Sequence, residues 1–223
     1  MMRAAVLVFP GSNCDRDMAV ALRKAGADVK MVWHKDTELP SAIDLVAIPG
    51  GFSFGDYLRC GAIAGQSPIC KSVIEFANRG GFVIGVCNGF QILTETGLLP
   101  GALLRNAGLK FICKSVDLRV ETTNSAFTCN YAKDQPISIP IAHHDGNYNL
   151  STEDLSELQA EDRIAFRYVD NPNGSADDIA GVLSKNRRVL GMMPHPERAV
   201  DATLPSADGQ PFFAGLLDQM ATT

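Results

Sequence analysis

Apolar positions in the first half of the chain come in two alternating kinds. Ala4 to Phe9 is apolar throughout, as expected of a strand buried on both faces; Val29–Trp33, which includes Lys30, and the apolar runs Leu45–Ile48 and Phe82–Val86 read as further strands. Between these runs the apolar residues are spaced for helices. Asp15–Gly26 carries Met18, Leu22 and Ala25 on one stripe, with Asp15 and Asp17 in the first turn and Gly26 as the stop. Ile69–Ala77 reads as a helix ended by Arg79-Gly80-Gly81, and Gly89–Thr96 as another. From about Leu103 to Ala142 the period changes. Lys110–Glu121 alternates like an antiparallel strand, and Pro and Asn punctuate the residues after it. Ile179–Ser184 and Arg188–Met193 form two strands around Lys185-Asn186-Arg187, and Phe212–Met220 closes as a helix. The alternation predicts one α/β domain over residues 1–223: a mostly parallel central sheet flanked by helices, with an antiparallel extension.

Composition narrows the class of function. A chain of 223 residues that is 46% hydrophobic can bury a substantial core. Its 20 Lys+Arg against 25 Asp+Glu, with no long basic run, argue against nucleic acid as a partner. The opening stretch is too short for a membrane span and carries no cleavage site, so no membrane is expected and the cytoplasm is the expected compartment. The six cysteines form no C-x-x-C pair, which suggests neither a zinc knuckle nor a disulfide framework, and most are expected to be reduced and packed.

One cysteine stands apart. In Gly85-Val86-Cys87-Asn88-Gly89 it sits where a buried strand gives way to a helix. This is the cysteine form of the nucleophile elbow, a turn that tolerates no bulk on either side of the nucleophile. A helix N-terminus and a nearby histidine can lower such a thiol from about 8.5 toward neutrality. The plainer reading is a small packed hydrophobe, which is how the other five cysteines are taken.

A thiol that attacks an amide needs a base that later acts as an acid. His195 stands in Met193-Pro194-His195-Pro196-Glu197-Arg198, directly after an apolar strand. The following proline disfavours helix, and alternation along an extended segment puts His195 and Glu197 on one side. Glu197 can then orient the imidazole, the part of a triad's third member. Alone, the two prolines could be strand terminators and Glu197 a surface charge. An oxyanion hole could be built from the N–H of Asn88 and from Pro49-Gly50-Gly51, although Gly-Gly alone is usually a turn. His143-His144-Asp145 is the rival cluster. Adjacent histidines on a strand face opposite ways, so a rim loop is expected there and no metal site. Gly11-Ser12-Asn13 lacks the phosphate-binding motifs, and helix capping is its default.

These residues resemble the class I glutamine amidotransferases, whose Cys-His-Glu order matches Cys87, His195 and Glu197. Phe9-Pro10-Gly11-Ser12-Asn13-Cys14-Asp15-Arg16-Asp17, Pro49 through Arg59, Gly85 through Gln91, and Asn173-Gly174-Ser175 with Asp178 through Gly181 look most like the branch formed by glutaminase subunits of phosphoribosylformylglycinamidine synthase. The resemblance implies a flavodoxin-like sheet, Cys87 as nucleophile, His195 as base and Glu197 as its orienter. It also implies Gly50, Gly51 and Asn88 around the oxyanion, and Gln91 as a contact for L-glutamine. It implies no cofactor on this chain, a large synthase partner carrying ATP and Mg, and a small bridging subunit. Where the branch has A-H-G-E-G-x-Y, this chain has Ala142-His143-His144-Asp145-Gly146-Asn147-Tyr148. Two other readings stay open: a glutaminase subunit for GMP, anthranilate or histidine synthesis, and an unrelated elbow-type cysteine hydrolase. An inactive scaffold is the non-enzymatic alternative.

Overall fold

The computed structural model describes residues 1–56 and 60–221. Tyr57, Leu58 and Arg59, which belong to the motif that begins at Pro49, lie outside the described residues. The first half follows the hydrophobic pattern closely. Strand β1 (Arg3–Val8), helix α1 (Asp15–Lys24), β2 (Asp28–Trp33) and β3 (Leu45–Ile48) are succeeded by the short helix α2 (Cys60–Gly65), then α3 (Pro68–Asn78), β4 (Phe82–Val86) and α4 (Asn88–Glu95). Pro68 opens α3 at a position where its missing N–H costs nothing.

The second half holds elements that the sequence pattern did not resolve. These are β5 (Ala102–Leu104), β7 (Pro136–His143), β8 (Asn147–Asn149), α5 (Thr152–Ala160) and β9 (Ile164–Tyr168), whereas β6 (Ile112–Val120) falls inside the alternating run Lys110–Glu121. β10 (Ile179–Leu183), β11 (Val189–Met192) and α6 (Gln210–Ala221) end the chain close to their expected positions. Of the elements missed, α5 had a readable start: the Ser151 hydroxyl caps the N–H of Asp154 at 3.0 Å, with Glu153 and Asp154 in the first turn.

The main sheet has nine strands in the order β2-β1-β3-β4-β11-β10-β9-β6-β7. The first five are parallel and the rest antiparallel. β5 and β8 form a separate antiparallel pair. Because β1 connects outward to β2 while β3 connects the other way to β4, right-handed crossovers put α1 on one face and the helices after β3 on the other. The strand order thus reverses between β1 and β3, where doubly wound sheets bind ligands at the carboxyl edge. The loops leaving these two strands meet there, Ser12 bridging to Gly51.

Two further contacts bring the antiparallel extension back to the same edge. Pro140 of β7 accepts the N–H of His195 at 2.8 Å, and the carbonyl of Ala142 lies 3.7 Å from the Cys87 sulfur. The far edge strand of the sheet therefore walls the mouth of its parallel half.

Helix α4 lies close against β4 and β11 because Gly85 and Gly191 are register partners beneath it. A β-carbon at Gly191 would stand 2.1 Å from Phe90 Cδ2 and 2.6 Å from Leu99 Cδ1. Gly191→Ala should therefore cost about 1–3 kcal/mol by overpacking, read as a lower urea midpoint with an unchanged m-value.

Candidate active site

The turn from β4 to α4 is built around an unusual backbone. Cys87 has φ 53° and ψ −106°, in a region that side-chain-bearing residues rarely adopt. Its N–H is held by Met192 O at 2.8 Å. The flanking glycines are required by contact: a β-carbon at Gly89 would lie 1.9 Å from Ile48 O, and one at Gly85 2.5 Å from Leu93 Cδ1. The sequence expectation of an elbow is met, and the sulfur stands over the carboxyl edge beside the backbone N–H of Asn88.

Asn88 and Gln91 hold the first turn of α4 in place. The Asn88 side chain accepts the N–H of Ser53 at 3.2 Å and donates to Gln91 Oε1 at 2.6 Å. Gln91 donates in turn to Asp145 O at 2.9 Å. Its amide is thus engaged at both ends with the protein, and Gln91 is buried.

His195 and Glu197 come together, though by a different route from the one alternation suggested. Pro196–Arg198 is a turn of 3-10 helix rather than an extended segment. Within it, His195 Nδ1 donates to Glu197 Oε1 at 2.7 Å, with both side chains buried. The donor assignment follows because the carboxylate can only accept. It leaves Nε2 as the free lone pair of the ring, buried and without a hydrogen-bond partner among the described residues.

Gly50 locates the nucleophile against the base. A β-carbon there would stand 2.6 Å from His195 Cε1 and 3.2 Å from Cys87 Cβ, so Gly50 occupies the floor between the two. Gly51, at φ 148°, continues the strip with its own missing side chain pressed on Ser12 and Asn13. The Gly11-Ser12-Asn13 loop does not cap α1 through a side chain. It props the strip instead, the Ser12 hydroxyl reaching Gly50 O at 3.4 Å.

One expectation is reversed. Burial, with Cys14 and Glu197 nearby, raises the Cys87 thiol well above its ordinary range, and the Asn88 N–H opposes this only in part. Desolvation outweighs the helix terminus, so the resting group is a thiol.

Cys14, one of the five cysteines that read as packed hydrophobes, has its sulfur with ligand atoms of His195 and Glu197 inside 4.8 Å. Arg198 Nη2 donates to it at 3.1 Å while Nε holds Asp17 at 3.0 Å. Cys14, His195 and Glu197 are the residue types that could hold a metal ion, but such an ion would compete with the 2.7 Å bond between the last two.

The rival cluster splits as alternation predicts. His143 is buried, while His144 turns toward Phe111, ring centroids 5.3 Å apart. Asp145 pairs with Arg105 at 3.1 Å. Asn106 organises this loop: its Nδ2 donates to His143 O and Lys110 O, and its Oδ1 accepts the N–H of Gly146 at 3.0 Å. A cavity of about 1080 Å³ opens at the opposite, amino edge of the sheet, lined by Arg3, Asp44, Arg79 and Arg188. It is remote from all of these groups.

Comparison with known proteins places this geometry. The CobB/CobQ-like glutamine amidotransferase domain family matches residues 1–210. The chain is 70% identical over 215 residues to the phosphoribosylformylglycinamidine synthase subunit PurQ of Ruegeria pomeroyi, covering 96% of this chain and 97% of that one. It is 68% identical over 220 residues to the protein of the same name from Roseobacter denitrificans, covering 99% of each. Among solved structures, a chain of PurLQS from Thermotoga maritima superposes with a TM-score of 0.91 at 45% identity, covering 98% of this chain and 99% of that one. The chain belongs to the glutamine amidotransferases, and within them to the PurQ family of phosphoribosylformylglycinamidine synthase subunits.

Proposed function

We propose that Cys87, His195 and Glu197 are the nucleophile, base and orienting acid of a glutaminase. The observation that carries this reading is the glycine floor at residue 50, which brings an elbow cysteine and a carboxylate-bound imidazole to one point. His195 Nε2 takes the Cys87 proton as sulfur attacks the side-chain carbonyl of L-glutamine. Removing the proton during attack suits a thiol that rests protonated. Glu197 stabilises the imidazolium so formed. The N–H groups of Asn88 and Gly51 donate to the oxygen that gains charge in the tetrahedral intermediate. His195 returns the proton to nitrogen, the C–N bond breaks, and ammonia departs from a glutamyl thioester. Water, deprotonated by the same histidine, then releases glutamate and restores the thiol.

Gln91 takes part by fixing the loop at Asp145 against the start of α4, its contact with substrate being one that this network would have to open to make. Glu197 is the acid hydrogen-bonded to the imidazole and follows the histidine in the chain, which disfavours an α/β-hydrolase order with Asp145, Asp170 or Asp177 as the acid.

As a PurQ-family subunit of phosphoribosylformylglycinamidine synthase, the chain serves purine biosynthesis. The ammonia passes to a large synthase subunit that binds ATP and Mg, with a small third subunit bridging the two, as the PurLQS composition of the Thermotoga relative suggests. There it converts formylglycinamide ribonucleotide to the amidine. This chain then needs no cofactor of its own and works in the cytoplasm; no helix among the described residues is long and apolar enough to cross a membrane.

Cys87→Ala in the assembled synthase should abolish glutamine-dependent product formation and leave synthesis from ammonium salts intact; retained glutaminase activity would refute the assignment. Gly50→Ala should push the imidazole off its line and lower kcat by about a hundredfold, with folding checked by thermal melting. The raised thiol also sets a pH dependence. With the thiol favoured at neutral pH, iodoacetamide should label resting Cys87 more slowly than the exposed Cys113, and the rate should climb as pH rises beyond the ordinary thiol range. Fast labelling at pH 7 would contradict this.

A further inference from the structure

His143 is a buried titratable group that the mechanism above leaves idle, and its tautomer can be derived. Asn106 Nδ2 is committed to two carbonyls, His143 O and Lys110 O, which fixes the amide with Oδ1 toward the imidazole. That oxygen already accepts the N–H of Gly146 and lies 3.0 Å from His143 Nδ1, so Nδ1 carries the hydrogen and donates. Nε2 is then an acceptor with a free lone pair. It is buried, the residue being 4% exposed, and has no hydrogen-bond partner among the described residues.

The surroundings keep the ring neutral. Burial first, and then the nearby His195, push His143 down to about 4; the backbone adds a smaller push the other way and His144 a smaller one the same way. At neutral pH it neither takes nor gives a proton. It also sits at the end of β7, immediately after Ala142, whose carbonyl is 3.7 Å from the Cys87 sulfur. The two imidazoles lie near enough to feel each other's charge, and each has an unpartnered Nε2 lone pair. An orphaned buried acceptor is costly, roughly 1–3 kcal/mol, which points to a donor arriving during the working cycle. The Cys87 thiol supplies the proton for His195, so the donor sought is one for His143 alone. The carboxamide nitrogen of glutamine brings it, and still carries its hydrogens after sulfur has attacked.

We propose that His143 Nε2 accepts an N–H of the scissile carboxamide and holds it as nitrogen becomes tetrahedral, turning the new nitrogen lone pair toward the proton on His195. This rests on the glutaminase reading and deepens it. Sulfur–carbon bond formation and carbon–nitrogen cleavage remain the work of Cys87 and His195. His143 supplies no proton, only an orientation that water would not hold. A group restricted to accepting also cannot convert the departing ammonia to ammonium.

The test compares two leaving groups in the assembled synthase. L-glutamate γ-methyl ester passes through the same thioester, but its leaving oxygen has no hydrogen to offer His143. In His143→Phe, and in His143→Gln as a second variant that preserves polarity, kcat for glutamine should fall about tenfold or more with KM little changed, while ester hydrolysis stays within about twofold of the unaltered enzyme. An equal loss on both substrates, or no loss on glutamine, would overturn the proposal. Cys87→Ala abolishing both reactions keeps the underlying glutaminase reading separate: if that variant still hydrolysed either substrate, the triad assignment itself would fail. Thermal melting of each variant shows that the fold is retained.

Discussion

Cys87 can hold a φ of 53° only because nothing with a β-carbon stands at residues 85 and 89. Left-handed backbone at a residue with a side chain costs on the order of 1–3 kcal/mol, and here it is offset by the pairing of β4 with β11 and by the packing of α4 on both. Everything else at the carboxyl edge is arranged around that one turn. Gly50 keeps the next strand's loop thin enough for an imidazole to reach the sulfur, and Ser12 keeps the thin loop in place. The tightness that fixes the geometry also excludes water, which is why burial prevails over the helix terminus and the sulfur rests protonated.

The two halves of the sheet divide the labour. The parallel half supplies the elbow, the glycine strip and the switch point, features that depend on strand ends meeting helix starts. The antiparallel half contributes no nucleophile. Its strand β7 curls over the edge and anchors His195 through Pro140, and the loop beyond it is organised by Asn106. A wall held by backbone hydrogen bonds can carry departures from its branch's pattern, such as His144-Asp145, because the Asn106 amide contacts main chain there rather than those two side chains.

Much of this was legible in the sequence, and the rest was hidden for physical reasons. The buried parallel strands announce themselves as unbroken apolar runs, and β3 and β4 fall where those runs predict. β7 did not, because Pro136 and Pro140 read as breakers; both lie at the sheet's outer edge, where a missing N–H is tolerated. The His195–Glu197 pair was found for a partly mistaken reason. Two residues apart places side chains together on a strand, but here a 3-10 turn does it. Cys14 escaped notice because its importance is purely spatial: nothing in the neighbouring residues tells that β1 and β3 flank the switch point. The direction of the Cys87 shift was likewise invisible, since a helix terminus can be read from the chain and the depth of burial cannot.

The place of β11 in the sheet bears on how the protein comes into being. It is the last strand in chain order among those described, yet it lies between β4 and β10 rather than at an edge. As the polypeptide emerges from the ribosome, β4 must wait with an apolar, unsatisfied border until a strand synthesised much later slides into the gap. The segment that fills the gap leads directly into His195, so the same event that seals the barrier against aggregation also delivers the imidazole. An incompletely translated copy is therefore unarmed, and quality control and chemical competence are joined in a single folding step.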